Sequence, residues 1–278
     1  MLLKSAAERL ERAGIERPVR EAQLLLAMAT GRTRLQALQG LDRPLTPEEA
    51  QRFEDLIARR ERRVPFAYLR GTQEFYGLEF RVTPATLIPR PETEMLVDFA
   101  IERLRDLPGA MAAEAGTGTG CLTIAAALHL PGARFLATDL SIEALAAARE
   151  NVSRYRLQGR VLLARADMLT TLADSSAHLI LSNPPYIPTA EIADLQPEVR
   201  DYEPRMALDG GADGLSLYRS LARTARRALR PGGWIAVETG AGQALSVANL
   251  FHEAGLSSAE IRRDLAGIER LVAAQREM

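Results

Sequence analysis

The sequence predicts an α/β protein in which a doubly wound, mainly parallel sheet follows a small helical bundle and a β-hairpin connector. Three observations carry this. After Pro91, short apolar stretches alternate with amphipathic helical ones, the pattern of βαβ units. Before Leu69 the apolar period is helical throughout. From Thr72 to Val82 the period changes to two. The expected boundaries are 1–70 for the bundle, 71–87 for the connector and 88–278 for the α/β domain.

In the bundle, a helix carrying Ala22, Leu24, Leu25, Leu26 and Met28 is stopped by Gly31. Another opens at Thr46-Pro47-Glu48-Glu49, where Thr46 caps, Pro47 takes the first turn and Glu49 completes a capping box. Its apolar stripe is expected at Ala50, Phe53, Leu56 and Ile57. In the connector, Leu78, Phe80 and Val82 alternate after a Tyr76-Gly77 turn. The α/β series begins with a helix bearing Met95, Leu96, Phe99 and Leu104, then a strand at Met111-Ala112-Ala113 that is poor in β-branched residues. A glycine-rich turn and a helix from Cys121 follow, then a strand at 135–138, a helix from Ser141 and a strand at 161–165. Beyond these come a strand at 178–181, a helix at 215–229, a strand at 234–237, a helix ending near Gly255, and two strands around Ile261 and Leu271.

With 278 residues, 47% hydrophobic and 26% charged, the chain has the composition of a folded globular protein, neither disordered nor a disulfide-stapled miniprotein. No apolar run approaches the roughly 18 residues of a membrane span, and the start, Met1-Leu2-Leu3-Lys4, soon turns charged where a signal peptide stays apolar. A cytoplasmic protein is expected. A lone cysteine, Cys121, and three scattered histidines (His129, His178, His252) make a poor metal site, so no metal is expected. The 35 basic and 36 acidic residues nearly cancel, which disfavours a grip on bare nucleic acid. The cluster Arg59-Arg60-Glu61-Arg62-Arg63 is the best candidate for a polyanion or partner patch, but it ends a helix, where positive charge suits the macrodipole; the second reading is preferred.

Chemistry concentrates at two places. Glu114-Ala115-Gly116-Thr117-Gly118-Thr119-Gly120 stands at a strand-to-helix switch, where glycine lets backbone N–H groups approach a ligand closely. Asp139 ends the next strand, where a carboxylate takes ribose hydroxyls, so the ligand is read as a nucleoside. The loop lacks the spacing of a pyrophosphate binder and no phosphate-seeking lysine follows it, which favours S-adenosylmethionine over NAD or ATP. After a third strand, Asp167 is placed to accept from an adenine amino group and Met168 to lie on the ring.

The second place is Ser182-Asn183-Pro184-Pro185-Tyr186, directly after the fourth strand. Out of context Asn-Pro and Pro-Pro are turn formers; at this sheet edge they read as a site. Each proline restricts itself and the residue before it, so Asn183 and Pro184 present their acceptors rigidly. A planar nitrogen is a poor nucleophile because its lone pair is delocalised. If the Asn183 side-chain carbonyl and the Pro184 backbone carbonyl accept its two N–H bonds, that lone pair turns toward a sulfonium methyl. Tyr186 would pack on the flat acceptor. Cys121 is read as a small buried side chain behind the loop, and Glu238, which could approach a ligand, as structural.

The chain resembles the bacterial protein-(glutamine-N5) methyltransferases that modify class I peptide release factors. Beyond the two motifs above, the likeness includes Gly71-Thr72-Gln73-Glu74-Phe75-Tyr76-Gly77, Ile88-Pro89-Arg90-Pro91-Glu92-Thr93-Glu94, Glu203-Pro204-Arg205, Ala207-Leu208-Asp209-Gly210-Gly211 and Asp213-Gly214-Leu215. It implies a Rossmann-like S-adenosylmethionine-dependent methyltransferase domain, with Gly116 to Gly120, Asp139, Met168 and Asn183 at the cofactor. It implies that Asn183, Pro184, Pro185 and Tyr186 hold the glutamine of a Gly-Gly-Gln loop, and that the helical domain helps to dock the release factor. The family usually opens its glycine motif with Asp, and Glu114 is one methylene longer. Two other functions fit some of these residues: an N6-adenine or N2-guanine nucleic-acid methyltransferase, which the near-neutral charge disfavours, and a non-catalytic cofactor-binding interaction module, which the intact motifs disfavour.

Overall fold

The computed structural model describes residues 2–39 and 44–278. They form two compact units, Met1–Gly71 with Gln196–Tyr202, and Thr72–Leu195 with Glu203–Met278. The first holds α1 (Leu2–Arg12), α2 (Pro18–Thr30), α3 (Arg34–Gln39), α4 (Pro47–Glu61) and α5 (Phe66–Arg70) around Leu10, Leu25, Leu26, Phe53 and Ile57. Gly31 ends α2 in the left-handed conformation (φ +64°) with its N–H on the carbonyls of Ala27 and Met28. At α4 the Thr46 hydroxyl accepts from Glu49 N (3.2 Å) while the Glu49 carboxylate accepts from Thr46 N (2.9 Å), completing the box. The expected stripe needs one correction: Ala50 is exposed and Glu49, turned back into its box, is buried instead.

The arginine cluster is mostly internal to this unit. Arg60 is buried and donates to Glu21 (2.5 Å) and Glu198 (2.9 Å); Arg63 donates to Glu198 (2.5 Å) and to the carbonyls of Ala13 and Gly14. Tyr202 donates to the Arg62 carbonyl. Segment 196–202, far away in sequence, is thus tied to the bundle by the cluster, and Arg59 and Arg62 are its exposed members.

The second unit opens with the hairpin β1 (Thr72–Phe75) and β2 (Leu78–Arg81), whose turn residues Tyr76 and Gly77 both have positive φ, the geometry that matches strand twist. The chain continues through α6 (Glu94–Leu104), β3 (Met111–Ala115), α7 (Cys121–His129), β4 (Arg134–Asp139), α8 (Ile142–Arg154), β5 (Val161–Arg165) and β6 (Ala177–Ser182). It leaves for α9 (Pro197–Arg200), in the first unit, and returns as α10 (Ser216–Ala228), β7 (Leu229–Glu238), α11 (Ala244–Glu253), β8 (Ser257–Arg263) and β9 (Glu269–Gln275). The seven-stranded sheet has the order β5-β4-β3-β6-β7-β9-β8, parallel except for β9, which runs antiparallel to both neighbours.

Apolar clusters cover both faces, so successive residues of one strand serve opposite sides: Leu179 belongs to the cluster that holds Phe99 and Ile124, Ile180 to the one that holds Tyr218 and Phe251. In β3, Ala112, Ala113 and Ala115 are fully buried, and burial on both faces lets alanine serve where β-branched residues are usual. The strand expected at 234–237 begins earlier, at Leu229, because Leu229 pairs with Ala177 across a register shift that takes up Pro231-Gly232-Gly233; the helix before it ends at Ala228. The order reverses at β3, which has β4 on one side and β6 on the other, and such a switch point opens a crevice at the carboxyl ends of the strands.

Candidate active site

That crevice is a cavity of about 470 Å³ lined by residues that follow β3, β4, β5 and β6. Beyond β3 the chain turns sharply: Thr117 N donates to Thr138 O (2.9 Å) and Gly120 N to Thr117 O (2.8 Å). Gly116 (φ +70°) and Gly118 (φ +54°) are left-handed, and a Cβ built on either meets no protein atom within 4 Å. The backbone therefore calls for glycine, and the space beside it is open to a ligand. Asp139, ending β4, holds this loop: its carboxylate accepts from Gly118 N (2.8 Å) and from Ser141 N (3.0 Å).

Gly116, Thr117, Gly118, Thr119, Asp139, Asp167, Met168, Asn183 and Pro185 all line the cavity; Gly120, Pro184 and Tyr186 are not among its lining residues. Gly120 instead caps the start of α7 in the left-handed conformation (φ +79°), where an added Cβ would lie 3.2 Å from Ile124 Cδ1. Met168 is left-handed (φ +50°) without being glycine, and its carbonyl accepts the Thr138 hydroxyl at 2.7 Å. Backbone strain of this kind persists where the surroundings hold it, often at functional sites.

Glu114 also lines the cavity and is buried, with Oε2 accepting from the hydroxyls of Thr117 (2.7 Å) and Thr123 (2.5 Å). Burial pushes its carboxyl up to about 7 despite those two bonds. Cys121 is buried at the cavity wall, and burial raises its thiol to about 12, so it stays protonated and packs as a small apolar group.

Around Asn183 the polar groups form a chain. Asn183 Nδ2 donates to Thr93 Oγ1 (3.0 Å), which donates to Glu238 Oε2 (2.5 Å); the Tyr186 hydroxyl stands 3.5 Å from Glu238 Oε1. Glu238 is 2% exposed, and burial raises its carboxyl to about 7. Burial, then the Glu238 charge, hold the Tyr186 phenol neutral, up to about 12. The Pro-Pro-Tyr turn is braced from outside: Ile187 N donates to Leu208 O, Gly210 N to Ile187 O, and Gln243 Nε2 to Tyr186 O. Gly214 fits so closely that an added Cβ would lie 2.4 Å from Tyr186 O. Buried Glu203 accepts from Ile88 N (3.2 Å) and from Arg90 (2.5 Å), a lining residue, and is next in the chain to Pro204, which lines the cavity with Met206.

Thr93, Arg90 and Glu203 lie in the segments that carry the family resemblance, but local reading of the sequence gives them no role, and Asn151 is not singled out by it at all. Fully buried Asn151 donates to the carbonyls of Arg81 and Thr119, tying the hairpin to the glycine loop. Its signal was available, since Asn151 falls on the stripe Ala144, Ala148, Val152, where a polar residue needs partners.

Two family models match the chain: one described as the PrmC N-terminal domain over residues 1–71, and one described as the methyltransferase small domain over residues 93–195. Among curated proteins, the release factor glutamine methyltransferase of Geobacter sulfurreducens is 45% identical over 93% of this chain and 90% of its own length. The chain belongs to the release factor glutamine methyltransferase family. A further release factor glutamine methyltransferase, from Moorella thermoacetica, is 43% identical over 99% of this chain and 97% of its own. The fold is wider than this family. A methyltransferase from Pyrococcus furiosus superposes with a TM-score of 0.54 at 18% identity, covering 73% of this chain and 91% of its own. The human METTL16 catalytic domain, solved with an RNA hairpin, gives 0.59 at 16% identity over 79% of this chain and 81% of its own. Both of these release factor glutamine methyltransferase matches run through the helical and the α/β units of this chain alike. Among the described residues, no helix is long and apolar enough to cross a membrane.

Proposed function

We propose that this protein transfers a methyl group from S-adenosylmethionine to the side-chain N5 of the glutamine in the Gly-Gly-Gln loop of class I peptide release factors. The observation that carries the reading is the Asn183 amide, held by Thr93 in the lining of a cavity that the glycine loop and Asp139 also line. The cavity suits the cofactor: its volume is that of a small-molecule site, the space beside Gly116 and Gly118 is open, and Asp139 and Asp167 bring carboxylates for hydroxyl and amino groups. When bound, S-adenosylmethionine supplies a methyl group on a sulfonium, and its transfer to an amide nitrogen releases the neutral thioether and a proton. Asn183 Oδ1 and the Pro184 carbonyl accept the two N–H bonds of the glutamine amide, turning its lone pair outward and stabilising the charge that develops on it. Tyr186 is assigned the flat face of that amide. No general base is required. Residues 1–70 are assigned to docking the release factor, 71–87 to the connector and 88–278 to methyl transfer, in the cytoplasm.

The test is methyl transfer from labelled S-adenosylmethionine to a class I release factor, to the same factor with its Gly-Gly-Gln glutamine replaced, to DNA and to ribosomal RNA. Label on the intact factor alone is the expected result. Label on nucleic acid alone would move the acceptor from a glutamine to a base amino group.

A further inference from the structure

The two ends of an asparagine amide have nearly the same shape, yet only Oδ1 can accept the N–H of a glutamine substrate. Which end meets the substrate is decided by what the other end meets inside the protein. Here Nδ2 donates to Thr93 Oγ1 at 3.0 Å. A threonine hydroxyl has one proton, and that of Thr93 goes to Glu238 Oε2 at 2.5 Å. An ionised carboxylate only accepts, so the hydroxyl oxygen is left as an acceptor, and the only amide end that satisfies it is Nδ2. Glu238 is itself fixed, with the Tyr218 hydroxyl on its backbone carbonyl (2.8 Å) and the Tyr186 hydroxyl near its other carboxylate oxygen.

We infer that Thr93 and Glu238 are positioning residues for methyl transfer, a two-bond relay that fixes the polarity of the Asn183 amide and so presents Oδ1 to the substrate nitrogen. The inference rests on the role proposed above for Asn183. It accounts for a carboxylate kept in a buried place where nothing but hydroxyl groups bonds its side chain among the described residues. It also gives the relay a direction that depends on protonation. A neutral Glu238 can donate to Thr93, which then donates to Oδ1 and leaves Nδ2, a donor, toward the substrate. Charged and titratable groups around Glu238 are Glu92 on the turn of Thr93, Arg270 on β9, Tyr186 on the Pro-Pro-Tyr turn and Tyr218 on α10. Burial is the larger influence and raises its carboxyl to about 7.

Three variants test the relay: Thr93→Val, which keeps shape and loses the hydroxyl, Thr93→Ser, which keeps the hydroxyl, and Glu238→Gln. With the release factor as acceptor, Thr93→Val is expected to lower kcat about 10-fold or more, while KM for the cofactor and affinity for S-adenosylhomocysteine stay within about twofold. Thr93→Ser should restore kcat to within about threefold of the wild type. Wild-type kcat should rise between about pH 6 and pH 8, and in Glu238→Gln that rise should be gone. A Thr93→Val enzyme with wild-type kcat, or a Thr93→Ser enzyme as slow as Thr93→Val, would overturn the inference. An independent readout needs no acceptor. The Asn183 side-chain NH₂ resonances, assigned by their loss in Asn183→Asp, should exchange slowly in the wild type and fast in Thr93→Val. Equal exchange in both would also overturn the relay, whereas slow exchange in a protein that leaves the release factor unlabelled would refute only the proposed substrate.

Discussion

At the scale of single residues, methyl transfer as proposed turns on an uncharged side chain. Asn183 contributes an acceptor dipole, not a proton, so its removal should act on the reacting nitrogen and spare the cofactor. Asn183→Ala is expected to lower turnover about 100-fold, as for loss of one preorganised hydrogen-bonding group, with cofactor affinity changed only a few-fold. Turnover and isothermal calorimetry decide this, and unchanged turnover would sink the role given to Asn183. Glu114 also lines the cavity, at the end of the strand next to the one that leads into Asn183, and its carboxyl, pushed up to about 7 by burial, titrates in the working range. S-adenosylmethionine is a cation, and a cation in the cavity favours the ionised form. Its affinity is therefore expected to rise from pH 6 to pH 8 in the wild type and to stay flat in Glu114→Gln. S-adenosylhomocysteine, which lacks the sulfonium charge, should show a smaller rise; a pH-independent wild-type affinity would remove Glu114 from the binding site.

At the scale of elements, the Pro-Pro-Tyr turn depends on a segment that does no chemistry. The stretch from Leu208 to Gly214 hydrogen-bonds Ile187 and presses against Tyr186 O. Gly214→Ala meets both a left-handed backbone (φ +72°) and a contact of 2.4 Å with a carbonyl oxygen. It is expected to cost about 2 kcal/mol or more of stability and to lower turnover with it, read by denaturant melts and initial rates. A fully active, equally stable variant would mean the turn is not braced there. These dependencies explain what the sequence could reveal. The glycine loop and the Asn-Pro-Pro-Tyr turn are contiguous and sit at strand ends, so period and position alone expose them. The capping box at Thr46 was legible for the same reason: its two members are three residues apart. Thr93 and Glu238 are 145 residues apart, and Arg90 and Glu203 are 113 apart, so neither pair leaves a local pattern. Segment 196–202 belongs to the helical unit through Glu198, whose partners Arg60 and Arg63 read locally as a helix end. The antiparallel placement of β9 between β7 and β8 was likewise not readable, since a strand's apolar pattern does not state its neighbours.

At the scale of the whole molecule, the same buried acids link stability to pH in a direction opposite to activity. Glu114 and Glu238 carry folded-state values near 7 against 4.5 when unfolded. Between those values the native state binds more protons than the unfolded state, so ν_U − ν_N is negative and the unfolding free energy falls as pH rises. Each group contributes on the order of 3 kcal/mol to this decline, which is complete above about pH 7 to 8. Burial raises Glu203 too, adding the same sign. Carboxylates held low by arginine partners, such as Glu54 and Glu61 on Arg9, work in the other sense, but their contribution is lost only as pH falls below the ordinary carboxylate range. The stability optimum is therefore expected near pH 5, with denaturant-derived unfolding free energies falling from pH 5 to pH 8. The double variant Glu114→Gln, Glu238→Gln should flatten that fall, whereas a wild-type stability that rises over this interval would show that both acids are stably ionised in the folded state. Since the relay is proposed to need Glu238 ionised and cofactor binding to need Glu114 ionised, kcat and cofactor affinity should climb through the same interval in which stability declines. Both trends trace to carboxyl groups kept in places where burial opposes their charge, and substitution by glutamine should abolish both together.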